Sequence, residues 1–429
     1  MPAESATPLL RRCHAAAIAA VQPEAALREP LASDPAPGSD CWVIAVGKAA
    51  QGMAAAIARE SSARGGRIHG GLIVGADPYV PDGALPTVVG DHPIPGLRSE
   101  RAADALAALV QRIPRDASTH VAISGGASAL IAGPLPEFSM ADVTQTFELL
   151  LTSGLDIHEM NAIRKRVTRW SAGRLALALE GRRVRAWVIS DVPGDDLSSI
   201  ASGPCSGDPW TAGQVRRLLV SSGLAPRLPP AILAGMSRET PKPDDPRLAG
   251  VTARIVADNR TAMSAAADEG RRAGITVTLM DEPLRGDAGA MGRRIAAEML
   301  RRRGASPQLL IWGGETTVAI AGTSGTGGRS QELALAAARE LGASGVAGAL
   351  LAAGTDGRDG PTDAAGAVVD ATTWHRIGAS GRDPDADLAH HDAYAALSAA
   401  GALLRTGPTG TNVMDLAIAF IEGREPAPS

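Results

Sequence analysis

Aromatic rings and excess charge are both scarce in this sequence of 429 residues. Phenylalanine, tryptophan and tyrosine make up 3% of the chain, and the formal net charge is −4. Few rings are available to stack on bases, and no basic excess attracts a phosphate backbone, so we expect no nucleic-acid partner. Any anion-binding site must therefore be local rather than a property of the whole surface.

Cysteines and long hydrophobic runs are also lacking. Cys13, Cys41 and Cys205 are odd in number and form no Cys-x-x-Cys motif, which argues against a disulfide framework or a zinc cage and suits a reducing cytoplasm. No stretch approaches the roughly 20 apolar residues of a membrane span. The run AAAIAAV (15–21) resembles a signal peptide but is short and weakly apolar. We interpret it as an amphipathic first helix of a cytoplasmic protein with no membrane partner.

A short apolar run followed by glycines recurs along the chain. It occurs at 41–60, 120–133, 187–204, 309–317 and 350–366. Helical periodicity is clear at 99–113, 142–153, 261–273, 287–303 and 330–341. Buried parallel strands are continuous apolar runs, and α/β proteins alternate them with helices. The sequence therefore predicts an α/β fold whose Gly-rich turns gather at the carboxyl edge of a sheet, where such folds bind ligands.

The length favours two domains over a single core. Segment 225–248 is rich in proline and charge and lacks periodicity, so we place the boundary in its middle. The expected domains are residues 1–238 and 246–429, with turns from both lining a cleft.

Two cations stand at the starts of predicted helices. A helix N-terminus carries roughly half a positive charge, so Lys48 in AVGKAA and Arg329 in GGRSQE are misplaced unless an anion is near. Lys48 does not belong to a Walker A motif, because Ala49 replaces the Ser or Thr that would hold magnesium. A single such cation is usually a solvated surface group, but two beside glycines favour a polyanionic ligand.

Gly-rich turns supply the candidate phosphate-binding groups. In ISGGASAL (123–130) the backbone N–H groups can approach an anion at a helix start, although a plain strand-to-helix turn is the alternative. The predicted nucleotide-binding residues are Ser124, Gly125, Gly126, Ser128, Gly313, Gly314, Glu315, Gly327 and Gly328.

Aspartates follow two of the predicted strands, in SDVPGDD (190–196) and GTDGRDGPTDAAG (354–366). Oxygen ligands on turns suit magnesium, which takes one or two carboxylates plus phosphate oxygens. Most of these aspartates are expected to cap turns. We predict Asp191 and Asp356 as metal ligands, and Asp191 as a catalytic residue because a strand end positions its side chain.

These stretches closely resemble the class II glycerate 2-kinase family, which has an N-terminal DUF4147 domain and a C-terminal MOFRL domain. The matching stretches include VGKAA, DHPIP, ISGGASAL, SDVPGDD, GGETTV, GGRSQELALA, GTDGRDGPTDAAGA and TGPTGTNVMDL. The resemblance implies an N-terminal Rossmann-like three-layer domain, a smaller C-terminal α/β domain, and an active site in the cleft between them. It also implies phosphorylation of D-glycerate at the 2-hydroxyl with ATP and Mg²⁺, with catalytic roles for Lys48 and Arg329.

The chain departs from the family pattern at residues 163–176, which read IRKRVTRWSAGRLA. A histidine of the family pattern is replaced by Arg166, and a lysine and a glycine are replaced by Ser171 and Ala172. Arg164 and Lys165 keep the pattern, and we predict that they bind the substrate carboxylate.

Two other functions stay open. Relatives labelled hydroxypyruvate reductase suggest an NAD(P)H-dependent enzyme, but no G-x-G-x-x-G follows a strand, and GTGGRS (325–330) fails at its last position. A non-catalytic nucleotide-binding module would explain the anion site without chemistry. The sequence leaves open whether Asp191 binds metal or accepts the hydroxyl proton, and whether the protein is a homo-oligomer.

Overall fold

The structure is a computed structural model that describes residues 3–34, 40–77, 85–320, 325–345 and 347–423. The chain divides into two compact units. Residues 23–257 form one, called here the N-terminal unit. Residues 1–22, with helix α1 (Ala3–Ala20), join residues 258–429 in the other, called the C-terminal unit.

A sheet of six parallel strands forms the centre of the N-terminal unit. In chain order the strands are β1 (Cys41–Val46), β2 (Ile68–Gly75), β3 (Thr87–Val89), β4 (Ser118–Ile123), β5 (Arg183–Ile189) and β6 (Val251–Ala257). Their spatial order is β3-β2-β1-β4-β5-β6, the order of Rossmann sheets. In such sheets ligands bind beyond the carboxyl ends of the strands where the order reverses, here between β1 and β4.

Helices and connecting segments cover both faces of this sheet. The helices are α2 (Pro23–Ala32), α3 (Ala50–Ala63), α4 (Leu97–Arg112), α5 (Ala127–Leu130), α6 (Met140–Leu151), α7 (Ile157–Arg164), α8 (Arg174–Ala178), α9 (Ala212–Ser221) and α10 (Pro230–Gly235). Ile44 and Val46 share a core with α4, and the alternating residues Val43 and Ala45 are equally buried on the opposite face. Burial of both faces explains why β1 is a continuous apolar run.

The C-terminal unit contains a mixed sheet of six strands with order β11-β10-β9-β12-β8-β7. The strands are β7 (Thr276–Leu279), β8 (Gln308–Gly314), β9 (Gly348–Gly354), β10 (Gly366–Asp370), β11 (Leu403–Leu404) and β12 (Asp415–Ile421). Strand β12 is antiparallel to both of its neighbours, β8 and β9. Asp415 therefore pairs with Gly314 on one side and Gly354 on the other, so the carboxyl ends of β8 and β9 meet the start of β12.

The helices of this unit form two further layers. They are α11 (Asn259–Arg272), α12 (Ala288–Arg301), α13 (Arg329–Ser344), α14 (Thr373–Ala379), α15 (Pro384–Ala389) and α16 (Ala393–Ala399). Helices α12 and α13 approach so closely that a Cβ on Gly292 would lie 2.2 Å from the carbonyl oxygen of Leu333. Helix α1 packs on α11, β9 and β12, and its residues Leu10, Cys13 and Ala17 are fully buried.

The α/β class and the five periodic helices are confirmed, and the chain divides into two compact units. The units differ from the expected ranges 1–238 and 246–429 in two places. The apolar face of α1 is covered by the C-terminal unit, and β6 completes the N-terminal sheet, so the division falls between residues 257 and 258. Across the residues described, no helix is both long and apolar enough to cross a membrane.

Candidate active site

The turns after β1 and β4 interlock where the strand order of the N-terminal unit reverses. The N–H of Lys48 donates to the carbonyl of Gly125 (2.9 Å), and the N–H of Ala49 donates to Ser124 Oγ (3.0 Å). Gly47 has φ +125°, and a Cβ there would lie 2.2 Å from Ser124 Oγ, so this position requires glycine. The structure thus brings together three predicted site residues, Lys48, Ser124 and Gly125.

The next residue, Gly126, brings two side chains to the same turn. A Cβ on Gly126 would lie 3.7 Å from Lys48 Cγ and 3.1 Å from His92 Cδ2. Lys48 is exposed. His92 belongs to the DHPIP stretch, to which sequence reasoning gave no role of its own. Lys48, Gly126 and His92 therefore form one surface at the carboxyl edge of the sheet.

A network of hydroxyl and amide groups links the turn after β4 to the turn after β5. Ser128 Oγ and Ser202 Oγ are 2.8 Å apart, and Ser202 Oγ donates to Asn161 Oδ1 (3.2 Å). Asn161 Nδ2 donates in turn to the carbonyl of Ser199 (2.9 Å). Ser202 has the left-handed φ of 59°, an unfavourable conformation for a non-glycine residue. These contacts fix the position of Ser128, another predicted site residue.

Two carboxylates lie in the turn after β5. Asp191 is half-buried just past the strand end, as predicted. Asp196 accepts hydrogen bonds from Ser198 N–H (2.9 Å), Ser198 Oγ (2.7 Å) and Ser199 Oγ (2.7 Å). Burial acts to raise the pKa of Asp196, but the hydrogen bonds from Ser199 and Ser198 outweigh it and hold this pKa below its ordinary value. Asp196 is thus a stable anion in the turn that contains Asp191.

The structure encloses Lys165, which was predicted to bind substrate, in a buried ion pair. Its Nζ lies 3.1 Å from Asp208 Oδ1, and the two side chains are 1% and 0% exposed. Arg166, which replaces the family's histidine, lies 3.0 Å from the other oxygen of Asp208 and donates to the carbonyl of Trp210 (2.8 Å). Because both cations are covered and share one carboxylate, they hold the end of α7 in place, and the substrate carboxylate has no access to Lys165 in this structure.

Arg164 differs from these two neighbours. It is 8% exposed, its guanidinium stacks 4.7 Å from the centre of the Phe147 ring, and one N–H donates weakly to Asn161 Oδ1 (3.5 Å). Its Nε has no hydrogen-bond partner, which is also true of the Nε of Arg166. Burial lowers the pKa of Arg164 to about 10, and the group stays charged at neutral pH. A buried cation with an unused donor suits an anionic ligand.

In the C-terminal unit, Arg329 is not a cation awaiting an anion. Its Nε and one terminal nitrogen donate to the two carboxylate oxygens of Asp415 (2.6 and 3.0 Å), and its other terminal nitrogen lies 2.8 Å from Glu315 Oε1. Burial alone would lower the pKa of Arg329, but Asp415 and Glu315 outweigh it and the pKa is raised. The side chain of Asp415 is 4% exposed, so Arg329 neutralises a buried charge.

The N-terminus of α13 is also occupied by a carboxylate of the protein. Asp359 accepts hydrogen bonds from the N–H groups of Ser330 (3.1 Å) and Gln331 (2.8 Å). Burial, together with the nearby charge of Asp415, raises the pKa of Asp359 to about 7. The interpretation that the start of α13 needs a phosphate is therefore corrected, because Asp359 accepts from its N–H groups and Asp415 supplies the negative charge beside Arg329.

Three of the four glycines predicted to hold nucleotide in this unit are required by the protein's own packing. A Cβ on Gly313 would lie 1.7 Å from Asn259 Oδ1, and one on Gly328 would lie 2.3 Å from Asp359 Cγ. A Cβ on Gly314 would lie 2.5 Å from the carbonyl oxygen of Leu284, whereas one on Gly327 would come no nearer than 3.3 Å, to Ala393 Cβ. Asn259 uses its amide to bind the carbonyls of Val413 (2.7 Å) and Asp415 (3.1 Å). A role of these glycines in binding nucleotide stays a prediction.

The carboxylates around the end of β9 fit part of a magnesium site. Asp356 Oδ1 and Asp415 Oδ1 each lie 3.3 Å from the position that a Cβ on Gly354 would take. In the described part of the chain, no three His, Cys, Asp or Glu side chains converge as a complete metal cage. Magnesium in nucleotide sites normally takes only one or two carboxylates and completes its shell with phosphate oxygens and water. Asp356 and Asp191 therefore each remain a candidate carboxylate ligand.

Sequence reasoning missed Asp415, His158 and Ser199. His158 Nδ1 lies 2.8 Å from Ser199 Oγ. Asp415 is the first residue of the apolar strand β12. A carboxylate at the start of a buried strand is the sequence pattern that could have identified it. Ser199 carried no signal, because its partners His158 and Asn161 come from another part of the chain.

Family models match two regions of the chain. The model described as "Domain of unknown function (DUF4147)" matches residues 9–237. The model described as "MOFRL family" matches residues 308–415.

Three known proteins are similar over nearly the full chain. The glycerate 2-kinase of Pyrococcus horikoshii is 36% identical, covering 89% of this chain and 88% of that protein. An Agrobacterium vitis protein named, without certainty, as a hydroxypyruvate reductase is 37% identical, covering 96% of this chain and 94% of that protein. The crystal structure of glycerate kinase from Thermotoga maritima superposes with a TM-score of 0.84 at 34% identity, covering 97% of this chain and 100% of that chain.

The ion pair of Arg329 predicts a stability defect on its removal. Arg329→Ala leaves Asp415 buried without its partner, and we expect the free energy of unfolding to fall by about 2–4 kcal/mol. Arg271→Ala removes an exposed pair with Asp268 in the same unit and should change it by less than about 1 kcal/mol. Urea denaturation measures both, and Asp415→Asn in the Arg329→Ala background should restore part of the loss. An Arg329→Ala protein as stable as the wild type would contradict the structural role.

The raised pKa of Asp359 predicts a pH dependence of stability. In the folded protein the pKa of Asp359 is raised to about 7, whereas its ordinary value is 3.8. Folding therefore favours the protonated carboxyl group between these two values. The stabilisation is therefore complete below about pH 4 and is lost as pH rises towards 7, on the order of 1 kcal/mol per pH unit. The difference in unfolding free energy between wild type and Asp359→Asn should fall across this window.

Asp370→Asn is the matched control for this prediction. Burial acts to raise the pKa of Asp370, but hydrogen bonds from Thr372 and Thr373 hold it below its ordinary value. The difference in unfolding free energy between the wild type and Asp370→Asn should therefore not fall between pH 4 and 7. Parallel curves for wild type and Asp359→Asn would remove Asp359 as the titrating group.

Proposed function

The chain belongs to the glycerate 2-kinase family that combines a DUF4147 region with a MOFRL region, and we propose that it phosphorylates D-glycerate at the 2-hydroxyl with ATP. The products are 2-phospho-D-glycerate and ADP. The observation that carries this proposal is the interlocked turn pair at the strand reversal, where Lys48 lies beside Gly125 and Gly126. The named relatives give the phosphate acceptor as glycerate.

Phosphoryl transfer requires positioning and charge neutralisation more than covalent chemistry by the protein. The exposed ammonium of Lys48 is fixed at its backbone by Gly125 and can meet the phosphate charge. Ser124 is fully buried and accepts from Ala49, so its role is to shape the turn. The partly exposed Gly126 and Ser128 are the groups of this turn that face a ligand.

Arg329 keeps a proposed role in catalysis in addition to its structural one. Its contacts with Asp415 and Glu315 use three of the five guanidinium N–H groups, and its side chain is 32% exposed. Two donors are left for phosphate oxygens. Loss of activity on Arg329→Ala must therefore be read together with the loss of stability.

Magnesium would be held by Asp191 in the N-terminal unit or by Asp356 in the C-terminal unit, together with phosphate oxygens. When bound, it supplies positive charge to the phosphate oxygens of ATP. A cytoplasmic location remains a prediction, and the oligomeric state stays open.

The substrate carboxylate is assigned to Arg164. Lys165 and Arg166 share Asp208, whereas the contacts of Arg164 are an aromatic ring and one weak amide hydrogen bond. Asn161 connects Arg164 to Ser202 and so to the turn that holds Ser128. A planar guanidinium can bind both oxygens of a carboxylate.

A reductase is the second candidate, because the strand order is that of dinucleotide-binding sheets. Asp77 follows β2, the position where such sheets carry the carboxylate that binds ribose. The turn after β1 opposes this function, since Gly47-Lys48-Ala49 places lysine and alanine where the fingerprint needs close backbone approach to a pyrophosphate.

A product assay tests the kinase against both alternatives. Purified protein with ATP, magnesium chloride and D-glycerate should give a product whose C2 proton couples to phosphorus in NMR. Lys48→Ala should lower kcat by about 100-fold or more without loss of stability, since Lys48 is exposed. Arg59→Ala, which removes an exposed pair with Glu24, is the control and should keep full activity. NADH oxidation with hydroxypyruvate and no kinase activity would favour the reductase, and ATP binding without turnover would favour a binding module.

Arg164 predicts a selective defect in glycerate binding. Arg164→Lys keeps the charge but loses the planar fork, so KM for glycerate should rise at least about tenfold while KM for ATP changes less than about threefold. Arg169→Lys, whose parent side chain pairs with Asp104 and is 32% exposed, should leave both constants unchanged. Equal effects on both KM values, or none, would remove Arg164 from the carboxylate site.

A further inference from the structure

His158 lies on a rigid helix start and contacts the turn after β5. It is the second residue of α7, whose first turn is fixed by a capping box between Asp156 and Glu159. His158 Nδ1 lies 2.8 Å from Ser199 Oγ, and the imidazole is 39% exposed. The ring is thus oriented by the protein and also reachable by a substrate.

The hydrogen bonds of Ser199 determine the tautomer of His158. Ser199 Oγ donates its single proton to Asp196 Oδ2, at 2.7 Å. Towards His158 the same oxygen must therefore accept, so Nδ1 carries the hydrogen. In the neutral imidazole, Nε2 then carries the lone pair and can accept a proton.

Asp196 is placed to stabilise the imidazolium that results from proton uptake. Its Oδ2 lies 3.9 Å from His158 Nδ1, and hydrogen bonds from Ser198 and Ser199 keep the carboxylate ionised. The other charged groups in this region are Lys165, which acts on Asp196 from the end of α7, and the two carboxylates of the capping box. His158 therefore faces one fixed anion through one hydroxyl, as in other oriented general bases.

Hydrogen bonds connect His158 to the turn that holds Lys48. Ser199, which contacts His158, receives a hydrogen bond at its carbonyl from Asn161. Asn161 accepts from Ser202, and Ser202 contacts Ser128 in the turn after β4. His158 thus belongs to the same edge of the N-terminal unit as the candidate phosphate site.

We propose that His158 is the general base that accepts the proton of the glycerate 2-hydroxyl, a role that rests on the proposed kinase activity. A bond forms between the hydroxyl oxygen and the γ-phosphorus of ATP, while the bond from that phosphorus to the bridging oxygen breaks. ADP leaves with the electron pair of the broken bond, and the hydroxyl proton moves to Nε2 of His158. The imidazolium then returns this proton to water. With His158 as the base, the role that we propose for Asp191 is that of a metal ligand.

The test is the pH dependence of kcat with saturating ATP, magnesium and D-glycerate. For the wild type, kcat should rise as the pH increases, because a general base acts in its unprotonated form. His158→Gln should lower kcat by about 100-fold or more, leave both KM values within about threefold, and abolish this rise. Asp196→Asn should move the rise to lower pH, because the imidazolium loses its anion.

His69→Gln is the matched control, since His69 is also 39% exposed and paired with an aspartate, Asp40. It should keep the wild-type profile. An independent readout is the ¹⁵N NMR spectrum of the His158 ring, which should show the Nδ1–H tautomer in the wild type and a change in Ser199→Ala. Near-normal kcat in His158→Gln, a persistent pH rise, or an Nε2–H tautomer would overturn the role of His158. Absence of phosphoglycerate from the wild type would instead overturn the proposed kinase activity, and this role with it.

Discussion

The hydrogen bonds that tie the turn after β1 to the turn after β4 are the constraint on which the candidate site of the N-terminal unit depends. Lys48 and Ala49 donate their backbone N–H groups to Gly125 and Ser124. These bonds form only because Gly47 has no side chain in the space that Ser124 fills. Lys48 is consequently positioned through its backbone, and its exposed side chain lies beside Gly126.

The two units carry opposite imbalances of buried charge. In the N-terminal unit, Arg164, Lys165 and Arg166 lie in sequence, and Asp208 pairs with the last two. This excess of positive charge suits the carboxylate of a hydroxy acid. A low-dielectric interior makes such an imbalance costly until the ligand arrives.

The C-terminal unit shows the reverse situation. One cation, Arg329, serves Asp415 and Glu315 and also acts on Asp359. Part of the excess negative charge is relieved by protonation, since the pKa of Asp359 is raised to about 7. A magnesium ion beside Asp356 and Asp415 would relieve it further, which is consistent with the proposed use of a magnesium–nucleotide complex.

Much of the fold follows from local patterns, and the failures concern contacts between distant residues. The five apolar runs predicted β1, β4, β5, β8 and β9, and the periodic segments predicted α4, α6, α11, α12 and α13. The placement of α1 could not be predicted, because an amphipathic helix shows which face is buried but not which surface covers it. The same holds for β6, whose partner β5 precedes it by more than 60 residues.

Arg329 shows why local reasoning reaches the residue but not its partner. A cation in the first turn of a helix is unfavourable by roughly 0.3–1 kcal/mol, and that penalty correctly indicated that an anion must be near. Breaking a buried ion pair costs about 3–5 kcal/mol, so a carboxylate contributed by the fold outweighs the helix dipole. Asp415 lies 86 residues further along the chain, and no local pattern connects it to Arg329. Pairing of β12 with β8 and β9 is what brings Asp415 to the start of α13, so the tertiary fold determines the charge environment of Arg329.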